Sequence, residues 1–218
     1  MTLRLPVLVL LTTLGCARAD LVVVQKAEGS GQSGEQVIKI KGDKARTDLA
    51  QQVSLITEAK TGDITTLMHT QKSFMKMPAA QTNAMLEQLR KARGNEGPAK
   101  LQPTGRKEKV GQFDCDLYTT NLGGMMFTYW ITKDVPNYAN VAQQMTTLQG
   151  GSLGEMAKGL MPDPKEFPGI AVKTEMNMQG QKVTTTVLSI KEEPVDAAIF
   201  TIPADYKEMT SPALNFGK

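Results

Sequence analysis

Apolar and polar residues alternate with period two through LVVVQKA, EQVIKI, KARTDL, QVSLITEA, DITTLMHT and SFMKM, the pattern of half-buried strands in a meander. Gly42-Asp43 and Gly62-Asp63 mark two of the turns. Short, evenly spaced strands predict one antiparallel sheet that curls around its contents, rather than a parallel sheet with crossover helices. Over 79–93 the period changes. AAQTNAMLEQLRKAR is rich in helix formers and places Met85, Leu89 and Ala92 on one stripe, ended by Gly94.

Strands return at TGRKEKV, FDCDLYTTN and MMFTYWIT and stop at Val135-Pro136. Tyr138, Val141, Met145 and Leu148 then recur at helical spacing, and Gly150-Gly151 break the run. Ser152 and Glu155 form a capping box for a further helix carrying Leu153, Met156, Ala157 and Leu160. The two helical stretches predict a hairpin. GIAVKTEMNMQGQKVTTTVLSI predicts a β-hairpin turning at Gln179-Gly180, with Ile170, Val172, Met176 and Met178 on one face.

The first 19 residues change the picture of where this chain works. Arg4, an apolar run from Leu5 to Leu14 and the small-residue site Ala17-Arg18-Ala19 read as a secretory signal cut before Asp20. The run falls short of the about 20 apolar residues a membrane span needs. Gly15-Cys16 offers the alternative of lipoprotein processing and an anchor at Cys16, although Thr13 stands where such signals carry leucine. The expectation is a periplasmic or secreted protein with a signal over 1–19, one domain over 20–210 and a mobile tail over 211–218. Loss of Arg4 and Arg18 takes the net charge from +3 to about +1, too weak a field to favour nucleic acid. One cysteine, Cys115, is left after such a cut, so no internal disulfide can form.

Candidate chemistry is sparse. In ITTLMHTQKSFMKM, from Ile64 to Met77, the chain's one histidine lies among methionines, a soft-ligand pattern. A two-residue turn at Gln71-Lys72 would set Met68 opposite Met75 and His69 opposite Phe74 on the other face, keeping histidine and methionines apart; a three-residue turn would bring His69 to Met75. Cys115 alternates with Phe113 and Leu117 and reads as buried, while Asp114 and Asp116 read as solvated acids of the other face. With one histidine in the chain, no hydroxyl triad with a second base is available. Phe127 and Tyr129 share a face opposite Trp130, which fits either the core or a cavity mouth.

The pieces GDKARTDL, TGDITTLMHTQKSFMKM, GQFDCDLYTT, YWITKDVPNYA and SIKEEPVDAAIFTIPADYKEM together resemble a bacterial family of exported proteins of unknown function, itself distantly similar to the lipoprotein-carrier superfamily of LolA and LolB. The resemblance implies an α+β fold: a curved antiparallel sheet, an incomplete β-barrel, with helices covering an apolar cavity on its concave face. The 13 methionines suit such an adaptable lining. The expectation is a non-enzymatic, monomeric binding protein for an acyl chain, lipid or lipidated peptide, without cofactor or metal. Its contacts are expected among Met68, Met75, Met85, Met145, Met156, Met176 and Met178, with Trp130 beside them. A module binding an envelope protein around a fully packed core is the competing expectation.

Overall fold

The computed structural model describes residues 20–29, 32–93, 99–122, 124–149, 162–178 and 180–209. Its strands are β1 (Leu21–Gly29), β2 (Gln32–Lys41), β3 (Lys44–Leu49), β4 (Val53–Glu58), β5 (Ile64–Met68), β6 (Ser73–Met77), β7 (Gln102–Val110), β8 (Phe113–Leu122), β9 (Met125–Thr132), β10 (Ile170–Met178), β11 (Gln181–Glu192) and β12 (Lys207–Glu208). The helices are α1 (Ala79–Arg93) and α2 (Tyr138–Gln149). All described strands join one open sheet in the order β12-β6-β5-β4-β3-β2-β1-β11-β10-β9-β8-β7. Pairing is antiparallel throughout except for β12, which runs parallel to β6. The predicted leader, the Ser152–Glu155 capping box with Met156, and the predicted tail lie outside the described residues.

Alternation along β1 divides the interior into two cores. Leu21 and Val23 join Ile40, Ala45, Phe113, Cys115, Leu117, Trp130, Val135, Val141, Ile170 and Val172 in the first. Val22, between them, points the other way into a second core with Ile56, Leu67, Phe74, Val195 and Phe200. Helix α2 packs on the first core through Tyr138, Val141 and Met145. Its start is tied to β11, where the Glu192 carboxylate accepts from the side-chain amides of Asn137, at 2.7 Å, and Asn140.

The second core is closed by the chain's last described segment. Asp196 caps a short 3-10 turn over Ala197–Phe200, accepting the Ala198 N–H at 2.9 Å. Asp20, at the head of β1, accepts the Val195 N–H at 2.9 Å and Lys41 Nζ at 2.6 Å, so the start of the sheet grips this segment. The segment ends in β12, beside β6.

Two registers differ from the sequence expectation. Met68 pairs with Ser73 and Leu67 with Phe74, so a four-residue connection over 69–72, not a two-residue turn, joins β5 to β6. Lys72 sits at φ 45° within it. An even-numbered connection keeps strand parity, so Met68, Met75 and Met77 still share a face. In β10 the pairing with β9 slips between Ala171 and Lys173. Ile170 and Val172 enter the first core, whereas Met176 falls opposite Phe127 and Val183, outside both cores. A bulge adds one residue to one strand, which the alternation alone does not announce.

Candidate functional site: a methionine face

The ladders from β1 to β6 run without a register shift. Tracing them outward, the face bearing Leu21, Val23, Ile40 and Ala45 continues as Thr47, Leu55, Thr66 and Met75 along one row. The rows on either side read Leu49, Val53, Met68, Ser73 and Thr57, Ile64, Met77. Val53, Leu55, Ile64, Met68, Met75 and Met77 are all half-buried, and none belongs to either core. This is an apolar surface of six large side chains on the α2 side of the sheet.

Helix α1 begins directly after this surface, separated from β6 by Pro78 alone. Its first N–H, that of Ala79, donates to the Asp63 carboxylate at 2.9 Å, which pins the helix start to the β4–β5 connection. Met85 and Leu86 are half-buried and Thr82 is buried. At the Ile64–Met77 end of the strands a cleft of 370 Å³ opens between Ile56, Pro78, Phe200 and Ile202, with Lys76 and Glu58 among its polar lining.

The expected contact residues therefore fall in several places. Met68 and Met75 are brought together, with Met77, which the expectation had not named. Met85 lies on α1, Met145 on α2 against the first core, and Met176 beside Phe127. Met178 pairs with Gln181, and Met156 lies outside the described residues. Trp130 is in the first core, its Nε1 donating to Glu108 Oε2 at 2.8 Å and its ring 4.1 Å from Lys173 Nζ. Cys115 lies buried in the same core, and burial pushes its thiol up from the ordinary range.

His69 has a different role from any the alternation suggested. On the opposite face of the sheet, Ser54 is fully buried and its Oγ lies 2.6 Å from Asp48 Oδ1, 2.8 Å from Arg46 Nη2 and 2.6 Å from His69 Nε2. His69 Nδ1 lies 2.6 Å from the Tyr206 hydroxyl. Counting protons assigns the donors. The carboxylate can only accept, so Ser54 donates to Asp48 and Nε2–H then donates to Ser54; in the neutral ring this tautomer leaves Nδ1 to accept from Tyr206. A serine that gives its proton to a carboxylate and receives two N–H donors is no nucleophile, since a hydrolytic triad needs the reverse transfer from serine to histidine. Both ring nitrogens are occupied, and the described residues bring no three His, Cys, Asp or Glu side chains together around a metal position.

Asp48 also accepts from Arg46 Nε at 2.6 Å and Lys39 Nζ at 2.9 Å. Burial alone would raise its carboxyl, but the bonds from Ser54, Arg46 and Lys39 outweigh that and bring it down to about 2. Arg46 Nη1 donates to the Ile199 carbonyl at 2.7 Å, so the network fastens the C-terminal segment over the second core. Polar residues spaced two apart, Arg46 and Asp48 on β3, were its one sequence signal. Ser54, His69 and Tyr206 come from distant positions that alternation does not relate.

Residues 23–206 match the family described as a domain of unknown function, DUF4412, and the chain belongs to that family. No curated protein matches it. Among solved structures it is similar to PNGF-II, with TM-score 0.46 and 11% identity over 88% of this chain and 31% of that one. The chain thus spans less than a third of the PNGF-II chain. It is also similar to the lipoprotein LppX of Mycobacterium tuberculosis, with TM-score 0.39 and 13% identity over 82% and 88% of the two chains. A LolA superfamily protein of Nitrosomonas europaea is similar with TM-score 0.32 and 10% identity over 86% and 91%. No described helix is long and apolar enough to cross a membrane.

Proposed function

We propose that this protein is a non-enzymatic binding protein of the cell envelope that holds an apolar ligand, an acyl chain or lipid, against the face of β4–β6. The observation that carries the reading is the set Val53, Leu55, Ile64, Met68, Met75 and Met77: six large apolar side chains aligned on one face, half-open, and part of neither core. None of the six is fully exposed, yet none is packed into a core, and a contiguous apolar set of this kind is a lining that an apolar guest can use. Methionine adapts its shape to variable guests, and each methylene removed from water contributes about 0.8 kcal/mol, so a chain of a dozen carbons is held without a charged anchor. Helix α1, with Met85 and Leu86, is the cover in this reading, and the leader predicted from the sequence over 1–19 is in keeping with export.

The test is organic extraction of natively purified protein with mass spectrometry of the extract, alongside titration of an apolar fluorescent probe into wild type and a Met68→Ala/Met75→Ala variant. Lipid in the extract, and a probe that binds wild type but binds the folded variant more weakly, support the reading. A probe that never binds, together with a variant that unfolds as a core mutant does, replaces it with a packed module that binds an envelope protein through its surface.

A further inference from the structure

A second set of side chains, on β8, β9 and β10, carries an unsatisfied chemistry of its own. Tyr118 pairs with Tyr129 and Thr120 with Phe127, which places Thr120, Phe127 and Tyr129 on one face. The β10 pairings of Thr174 with Tyr129 and Met176 with Phe127 extend it. The Phe127 and Tyr129 rings lie nearly parallel at 6.2 Å, and Phe167 meets Tyr129 edge-on at 5.2 Å. Gly169 lets the Phe167 segment approach this closely, because a Cβ there would stand 2.4 Å from the Thr132 carbonyl oxygen.

Two hydroxyls are buried in this apolar setting. Tyr129 is 5% exposed and Thr120 3% exposed, and neither hydroxyl has a hydrogen-bond partner. A buried hydroxyl without a partner costs free energy that phenylalanine and valine of the same shape would avoid. Burial pushes the Tyr129 phenol up to about 12, so it keeps its proton as a donor at any physiological pH. No cationic side chain belongs to the set of Thr120, Phe127, Tyr129, Phe167, Thr174 and Met176, so nothing in it favours a carboxylate or phosphate.

We propose that Thr120 and Tyr129 form a polar clasp for the carbonyl oxygen of an uncharged apolar ligand, an ester or amide of an acyl chain, whose hydrocarbon lies against Phe127, Phe167 and Met176. Both hydroxyls donate to that oxygen, and the aromatic walls exclude the water that would compete. This site is carried by residues separate from the methionine face and stands whether or not that face binds.

The experiment compares methyl laurate with an unbranched alkane of equal length, each titrated into wild type, Tyr129→Phe, Thr120→Val and the double variant by calorimetry, with urea unfolding of every protein. Wild type prefers the ester by about tenfold, the discrimination two neutral hydrogen bonds supply. The double variant unfolds at the same or higher urea concentration, binds the alkane as wild type does, and loses the ester preference. Tyr129→Phe, which keeps the ring, loses part of the preference even if Thr120→Val disturbs the strand. A Met68→Ala/Met75→Ala protein that binds less yet keeps the ester preference separates this site from the methionine face. Equal affinities in wild type, a preference retained by the double variant, or no binding of the ester overturns the proposal.

Discussion

The Tyr206 hydroxyl lies 2.6 Å from His69 Nδ1, joining the β5–β6 connection to the C-terminal segment across 137 residues of sequence. Tyr206→Phe removes that donor and nothing else of the ring. The expected cost is about 1 kcal/mol in urea unfolding. A double-mutant cycle with His69→Ala gives a coupling of about 0.5 kcal/mol or more. Amide exchange at Lys207 and Met209, whose N–H groups donate to Lys72 and Phe74 at 2.9 and 2.7 Å, should speed up in the variant before exchange in β1 does. A coupling of zero breaks the fastening role assigned to this pair.

Acid should loosen the same region through Asp48. Its carboxyl is lowered from 3.8 to about 2 in the folded chain, so the unfolded chain binds the proton more readily. The stabilisation is fully present above about pH 4 and drains away as pH falls towards 2, to a total of at most roughly 2 kcal/mol. Asp48→Asn should flatten that part of the stability profile in urea melts between pH 5 and 2. An unchanged slope in the variant refutes the assignment.

Cys115 is expected to be inert. With the thiol buried among Phe113, Leu117 and their neighbours and its ionisation suppressed by burial, an aqueous thiol reagent should react at unfolded-chain rates only after urea is added. Cys115→Ser puts a hydroxyl in its place and should cost about 1 to 3 kcal/mol. Rapid labelling of the folded protein contradicts this.

The methionine face and the second core lie on opposite sides of β5, one residue apart in the alternation, which allows a direct contrast. Leu67 is fully buried, so Leu67→Ala should cost about 2 to 5 kcal/mol. Met75→Ala, on the half-open face, should cost less than about 2 kcal/mol, because little close packing is lost. Equal costs, measured by urea unfolding, would mean that Met75 is packed like a core residue.

Much of this architecture is legible in the chain itself. Period two marks β1 to β6 because each strand has one face to bury, and α1 spans the residues where helix formers displace β-branched ones. Met178 pairs with Gln181, in register with the hairpin that the sequence predicted. The β5–β6 register is not legible, since His69, Thr70, Gln71 and Lys72 read equally well as strand or turn. Ser54 and Tyr206 hold the His69 ring on the face opposite Met68, and those partners are known only once the sheet is formed. The methionine face is half legible in the same sense. Alternation groups Met75 with Met77, but only the ladder β3-β4-β5-β6 shows that Leu55 and Val53 extend them into a surface. The bond-poor setting of Tyr129 is invisible in sequence, because a tyrosine in a strand ordinarily finds a partner.

The first strand of the sheet lies at its centre, bounded by β2 on one side and by β11 on the other. A growing chain completes β1 to β6 early, yet one long rim of β1, with its unpaired N–H and C=O groups, has no mate until residues 181–192 arrive. Until then the half-sheet offers a ready template for any other extended chain. Closure joins segments more than 150 residues apart, a loop whose entropy must be met before the pairing rewards it. Contact order makes the docking of the β10–β11 hairpin onto β1 the step expected to be slow, and conditions that delay it would expose the protein to intermolecular strand pairing.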